Sequence, residues 1–437
     1  MSYAANDLES YWMPFTSNRH FKNEQPRIMV EGKGLVFKSH KGHDILDAVS
    51  GLFCSPAGHS RPEIAEAVHQ QLLENSYTPP FQHGHPAAFE LARRVAGLLP
   101  GELDHVFFGN SGSEAVETAL KIALLYHRRR GEGQRMRIVG RERGYHGVNF
   151  AGFSVGGMVK NRDMFGLGIP GVLHMRHTAI EENRFTRGQA EKGAELADDL
   201  QRFCDLHGGD TIAACIVEPV GGGIGAYVPP VGYLERLREI CHTHGILLIF
   251  DEVINGFGRL GENFAAQRFG VQPDMITMAK ALTNGAIPMG ATACSAEIYK
   301  TVTEAAPEKG VEFFHGYTYT AHPAACAAGL ATLDIYEKEA LFERSKALEG
   351  HFLDRLFDLK QMGAIADIRG LGLLGAFDLK PNGGPGTTGY RAVQDLFEAG
   401  VLTKVTGDTV ILAPAFIAEE SDLDRMFDLI AGVIGKY

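Results

Sequence analysis

Residues 246–280 constrain this chain more than any other stretch. Ile246-Leu247-Leu248-Ile249-Phe250 is apolar throughout and ends in Asp251-Glu252. Met275-Ile276-Thr277-Met278-Ala279 is nearly so and ends in Lys280. A half-buried strand alternates apolar and polar residues. An unbroken apolar run predicts a strand covered on both faces, as in a parallel sheet flanked by helices. In open α/β sheets, ligands bind beyond the carboxyl ends of the strands. An acid and an amine therefore stand where a ligand of such a sheet would lie.

With 437 residues, 45% of them hydrophobic, the chain can bury a large core and divide into two or three domains. The net charge of -11 is spread along it, and the one basic run, Arg128-Arg129-Arg130, reads as the exposed end of a helix. Nucleic acid is not an expected partner. The apolar runs fall short of a membrane span, and residues 1–25 lack a signal-peptide core, so no membrane association is expected. Six cysteines stand singly without CxxC spacing, which predicts free thiols in a reducing cytoplasm. His83-Gly84-His85 and His242-Thr243-His244 find no third ligand at metal-site spacing, and no metal is expected.

Residues 1–25 read as an aromatic arm that packs on the core or on a partner subunit. Residues 26–50 suggest short strands joined by Gly-Lys-Gly and Lys-Gly-His turns. Helices are expected over 61–75 and 86–98, then a strand at 106–108 running into a long helix that reaches about Tyr126. Ile138-Val139 and 212–217 read as strands, 191–206 as a helix, and Pro229-Pro230 as the opening of a helix to His244. Strand and helix alternating between about 100 and 300 indicate βαβ units and one doubly wound, mostly parallel sheet. Beyond 323 the pattern changes. Helices over 323–358, strands over 365–377 and 401–413 and a closing helix over 423–434 predict a smaller α+β domain completed by the N-terminal strands. The expected division is 1–75 (arm and part of the small domain), 76–322 (large domain) and 323–437 (the rest of the small domain).

Four features of the large domain carry chemistry. Gly109-Asn110-Ser111-Gly112-Ser113-Glu114 lies between a strand and a helix, where unpaired amides and the helix dipole could cradle a phosphate. A plain N-cap explains the same residues equally well. Tyr145-His146 follows a strand between two glycines and could stack on a planar ring; an ordinary turn aromatic is the alternative. Asp251 and Lys280 could be a structural ion pair. Taken together, however, the four match pyridoxal phosphate: phosphate, ring, ring nitrogen and aldehyde. Gly221-Gly222-Gly223-Ile224-Gly225-Ala226 formally fits a dinucleotide fingerprint, but Val228-Pro229-Pro230 leaves no helix to start there. It reads as a loop beside the site.

Phe108-Gly109-Asn110-Ser111-Gly112-Ser113-Glu114, Gly144-Tyr145-His146-Gly147, Val217-Glu218-Pro219, Phe250-Asp251-Glu252-Val253, Gly256-Phe257-Gly258-Arg259 and Met278-Ala279-Lys280 resemble, in order and spacing, the class III aminotransferases of pyridoxal-phosphate fold type I. The resemblance runs nearly end to end. Trp12-Met13-Pro14-Phe15-Thr16, Gly58-His59, His315-Gly316-Tyr317-Thr318-Tyr319 and Val405-Thr406-Gly407-Asp408 are similar to the ω-amino acid:pyruvate, or β-alanine–pyruvate, branch. This resemblance implies that Lys280 forms the Schiff base with pyridoxal 5′-phosphate and Asp251 pairs with its ring nitrogen. Tyr145 and Val253 would flank the ring. Ser111, Gly112 and Ser113 would hold the phosphate, and Thr318 would reach it from a second subunit of a homodimer, which could pair into a tetramer. His146 and Glu218 would support the cofactor, and Phe15, Phe53, Phe81 and Tyr145 would line the substrate pocket. The implied reaction is ping-pong transfer of an amino group from an ω-amino acid or primary amine to pyruvate, giving alanine. A taurine, diamine or aryl-alkyl amine donor, an aminomutase and a non-catalytic protein of the same fold are the alternatives. Two positions depart from the family. Phe53 stands where a tryptophan is frequent, and Lys404 stands where relatives carry a carboxylate-binding arginine. Lysine keeps the charge but loses the bidentate fork.

Overall fold

The computed structural model describes residues 8–24 and 26–437. Residues 1–7 and Gln25, part of the arm expected over 1–25, lie outside the described residues. Seven strands form the central sheet, in the order His105–Gly109, Gly290–Cys294, Met275–Met278, Leu247–Asp251, Ile212–Val217, Arg137–Arg141 and Val172–Met175. Gly290–Cys294 runs antiparallel to both neighbours, and all other neighbours pair in parallel.

The unalternating runs have a direct cause in this sheet. Leu248 and Phe250 join one core with Tyr233 and Leu237, from the helix Tyr233–His244. Leu247 and Ile249 join another with Val116 and Leu120, from the helix Gly112–Arg129. Successive strand residues point to opposite faces, so a strand with a helix on each face must be apolar at every position. Full burial of each Leu, Ile or Phe contributes about 1.5–3 kcal/mol.

Two smaller sheets flank this one. Met29–Lys33, Val36–Ser39 and Asp44–Asp47 form an antiparallel sheet, and Val401–Leu402 joins it parallel to Asp44–Asp47. Ile365–Leu371, Leu374–Leu379, Thr409–Leu412 and Lys404–Thr406 form the other. The C-terminal segment thus lends one short strand to the N-terminal sheet but also builds a sheet alone, which the sequence did not suggest. We propose the domain division at 75/76 and 322/323. The packing of Pro323–Lys338 on Pro62–Glu74 supports joining the terminal segments. Limited proteolysis cutting first inside 76–322 would contradict it.

Several elements differ from expectation. The strand expected over 401–413 is three short strands, Val401–Leu402, Lys404–Thr406 and Thr409–Leu412, the last two paired antiparallel. The strand expected over 365–377 is a hairpin turning at Gly372 (φ 61°), where a β-carbon would lie 2.5 Å from Leu260 Cα. The helix expected from Glu191 begins only at the 3-10 turn Ala194–Ala197, after the left-handed Gly193, and continues as Asp198–His207. The helix expected at Pro229-Pro230 starts at Tyr233, because Gly232 (φ 82°) turns the chain first. The helix Thr387–Glu398, which buries Ala392, Leu396 and Phe397, was not anticipated. All six cysteines are free thiols. Among the described residues, no helix is long and apolar enough to cross a membrane.

Candidate active site

The parallel pairing aligns the carboxyl ends of the strands, and the chemistry-bearing residues collect there. Asp251 closes its strand opposite Thr277, three residues before Lys280. Glu218 directly follows Ile212–Val217, and Tyr145 and His146 lie in the turn after Arg137–Arg141. The helix Gly112–Arg129 starts just beyond His105–Gly109. Between them lies a cavity of about 110 Å³, lined by Gly112, Ser113, Tyr145, His146, Glu218, Asp251, Val253 and Lys280 among others.

One end of the cavity is a helix N-terminus. Ser111 is the N-cap, its hydroxyl accepting from the Glu114 amide at 3.2 Å. The Glu114 carboxylate reaches back to accept from the Asn110 amide at 2.6 Å and from its side chain at 2.9 Å. This reciprocal capping uses the Glu114 and Asn110 amides, while Gly112 and Ser113 line the cavity at the positive end of the helix dipole. A β-carbon on Gly112 would come 2.9 Å from both Val253 methyl carbons, so the cradle exists only because residue 112 has no side chain. The Ser113 hydroxyl accepts from the Val148 amide at 3.1 Å, which draws the Tyr145 turn against the cradle.

At the opposite end, His146 Nδ1–H donates to Asp251 Oδ2 at 2.8 Å, and the Val253 amide donates to Oδ1 at 3.2 Å. Glu218 accepts from the Tyr145 amide at 2.9 Å and so fixes the turn that presents the Tyr145 ring; burial raises the Glu218 pKa. Among the described residues, no ion pair joins Lys280 to Asp251, so the structural ion pair is set aside. Burial lowers the Lys280 pKa, while Cys54, Asp251 and Glu218 act in the opposite direction. Desolvation of this kind favours the neutral, nucleophilic amine. Its backbone is left-handed (φ 49°), a conformation that costs about 1–2 kcal/mol for a residue with a side chain.

The expected pocket aromatics fall elsewhere. Phe53 is buried in a cluster with Val49, Val220 and Ala226 and does not line the cavity. Phe15 and Phe81 are exposed and also lie outside it. Thr318 is exposed, its carbonyl accepting from Tyr77 Oη at 3.0 Å, and this subunit's cavity does not include it. Lys404 is half-buried, and Nζ donates to the Gly223 carbonyl and to Thr406 Oγ1, each at 2.6 Å. Sequence reasoning missed Asn284, which fastens the Lys280 turn to the N-terminal segment. The turn-forming Asn284-Gly285 pair was the available signal.

The residues present fit pyridoxal 5′-phosphate. Gly112 and Ser113 would meet a phosphate, Tyr145 and Val253 would wall a ring, Asp251 would suit its protonated nitrogen, and Lys280, in no ion pair among the described residues, would offer an amine for the aldehyde. A site of this kind on a seven-stranded, mostly parallel sheet defines a pyridoxal-phosphate enzyme of fold type I.

Comparison with known proteins agrees and is more specific. The aminotransferase class-III family pattern matches residues 18–434. An ω-aminotransferase of Caulobacter vibrioides is 51% identical over 99% of both chains. A β-alanine–pyruvate aminotransferase of Pseudomonas aeruginosa is 50% identical over 97% of this chain and 95% of its own length. Among solved structures, a thermostable (S)-enantioselective ω-transaminase from Thermomicrobium roseum superposes with a TM-score of 0.93 at 34% identity, covering 99% of this chain and 97% of that one. The Pseudomonas jessenii ω-transaminase, solved with pyridoxamine phosphate (PMP), gives 0.94 at 30% identity over 100% of this chain and 98% of the other. The chain belongs to the class-III aminotransferases.

Borohydride should fix pyridoxal phosphate irreversibly to the wild-type protein and not to Lys280→Ala, as read by peptide mass after digestion. Undiminished fixation in the variant would mean that another lysine holds the cofactor.

Proposed function

We propose that this aminotransferase moves an amino group from an ω-amino acid or a similar primary amine, β-alanine among them, to pyruvate, giving alanine. The observation that carries this reading is Lys404. It is a cation outside the cavity's lining that feels the charges of Lys280 and Glu218 and, among the described residues, is held by a carbonyl and a hydroxyl, so a substrate carboxylate could recruit it. The names of relatives support the acceptor: β-alanine–pyruvate, ω-amino acid–pyruvate and putrescine–pyruvate aminotransferases are 50%, 46% and 34% identical to this chain. The diamine relative keeps a diamine donor as the second reading.

Pyridoxal phosphate, when bound, supplies an aldehyde that holds the amine and a ring that draws electrons from the amine-bearing carbon. Asp251, oriented by His146, would hold a proton at the ring nitrogen, and Gly112, Ser113 and the Ser111 cap would hold the phosphate. Lys280 would hold the aldehyde and serve as the base for the proton on the amine-bearing carbon. Burial, which lowers the Lys280 pKa, favours the neutral amine that this proton transfer needs. Donor and acceptor use the same site in turn, which makes the kinetics ping-pong.

The working unit we propose is a homodimer in which the partner's copy of the exposed Thr318 segment completes the phosphate site. Exposed aromatics around that segment (Phe81 at 58%, Phe314 at 97% and Tyr319 at 59%) support a covered surface. Sedimentation of a fully active monomer would rule this out. The free cysteines support the cytoplasm as its compartment, and active enzyme recovered from a periplasmic extract would refute it.

A panel of β-alanine, taurine, putrescine and 1-phenylethylamine with pyruvate, read as alanine formed, tests the function. Failure of every donor to yield alanine would sink it. Lys404→Ala should raise the KM for pyruvate about tenfold, the worth of a charged hydrogen bond, and leave an uncharged aldehyde acceptor nearly unaffected. Equal effects would exclude a carboxylate role. Burial, then the charge of Lys280, lowers the Lys404 pKa to about 8. The binding ammonium is therefore present below that pH and lost above it. The KM for pyruvate should climb above about pH 8 in the wild type and stay flat there in Lys404→Ala.

A further inference from the structure

Lys280 stands in a turn that its own sequence does not favour. Lys280 (φ 49°), Asn284 (φ 51°) and Gly285 (φ 71°) are all left-handed. Asparagine and glycine enter that region readily, whereas lysine does so only when its surroundings impose it. The surroundings are the segment 47–59. Asn284 Oδ1 accepts from the Ala57 amide at 2.9 Å, and Asn284 Nδ2 donates to the Gly58 carbonyl at 2.8 Å. Ser55 Oγ donates to the Asn284 carbonyl at 3.2 Å. The approach is close: a β-carbon on Gly285 would lie 2.9 Å from Cys54 Cβ.

The segment that receives these bonds is itself held in an unusual path. Ser50 (φ 48°), Gly51 (φ 69°) and Phe53 (φ 64°) are left-handed. The buried Asp47 carboxylate accepts from the Val49 amide at 2.9 Å, from the Gly51 amide and from His59 Nε2–H at 2.7 Å. The Gly58-His59 pair thus does two things: Gly58 receives Asn284, and His59 fastens Asp47. One continuous set of bonds runs from Asp47 through His59 and Gly58 to Asn284, and from there along the turn to Lys280.

We infer that Asn284 is a positioning residue for the transamination, fixing Lys280 through the Ala57–Gly58 backbone so that its amine meets the substrate carbon at the right place and angle. The inference rests on Lys280 being the cofactor lysine. It reaches beyond that assignment because it places the control of Lys280 in the N-terminal segment. A displacement of a reacting group of about 1 Å can cost about a hundredfold in rate.

Asn284→Gly separates the two roles of the residue, since glycine keeps the left-handed backbone and deletes both side-chain bonds. Asn284→Asp keeps the acceptor for Ala57 and loses the donor to Gly58, and serves if the glycine variant does not fold. The control is Thr211→Val, which removes a hydroxyl bond of 2.9 Å to the Gly208 carbonyl at the amino end of Ile212–Val217, the edge of the sheet opposite the site. With pyridoxal phosphate saturating, the Asn284 variants should lose about tenfold or more in kcat with the KM for pyruvate within about twofold of wild type. The pH midpoint of the cofactor's near-visible absorbance, which reports the lysine's surroundings, should move by about half a unit or more. Thr211→Val should change neither. Wild-type kcat and midpoint in the Asn284 variants would overturn the inference, as would an equal loss in Thr211→Val. Borohydride fixation that survives Lys280→Ala would instead strike the cofactor assignment, so the two failures are distinguishable.

Discussion

The central constraint is an amine deprived of water. Lys280 sits at the carboxyl edge of a sheet covered by helices on both faces, and burial lowers its pKa against the pull of Cys54, Asp251 and Glu218. A cation in such a place must find an anion, shed its proton or be put to use. Asp251 could have neutralised it, but His146 and the Val253 amide already hold that carboxylate toward the other end of the cavity. The separation of the two charges is what opens a reactive site between two otherwise ordinary strand ends.

The sheet supplies that separation at little cost. Parallel strands bring their carboxyl ends to one edge, so residues from positions 112, 145, 218, 251 and 280 converge without any loop having to cross the core. The remaining work is local capping. Glu114 closes the Asn110 turn, Ser113 draws in Val148, and Glu218 holds the Tyr145 amide. Each bond uses a polar group that would otherwise be left unpaired near the site. Each also fixes a group toward the cavity.

What was legible in the chain follows from the same physics. Burial on both faces forces unalternating runs such as 246–250, so strands such as Leu247–Asp251 and Met275–Met278, with the acid and amine beyond them, could be read directly, whereas Val172–Met175 and Gly290–Cys294 were not. The roles of the site residues came with the family resemblance. The hairpin at 365–379 was hidden because its turn at Gly372 is walled by Leu371, Leu373 and Leu374, all buried. A buried turn carries no polar signal. The helix Thr387–Glu398 was hidden by the glycine-rich stretch before it. Phe53 was expected at the pocket wall, yet the left-handed path of residues 50–53 turns its ring into the cluster with Val220 and Ala226. No pattern in Gly51-Leu52-Phe53-Cys54 reveals that path, because it is imposed by Asp47 and His59 through the fold. The bonds of Asn284 were invisible for the same reason, since they span more than two hundred residues.

Lys404 and Lys280 complete the electrostatic logic. The charge of Lys280 is the largest influence, after burial, that lowers the Lys404 pKa, and Glu218 opposes it. A charged Lys280 opposes a charge on Lys404, and a Lys280 without its charge would relieve that repulsion. The lysine proposed to run the chemistry would therefore also set the strength of the group proposed to receive the acceptor. An arginine at position 404 would be insensitive to this, because its charge persists at any pH the protein meets. The substitution that appeared in the sequence as a loss of bidentate geometry couples the two amines of the site.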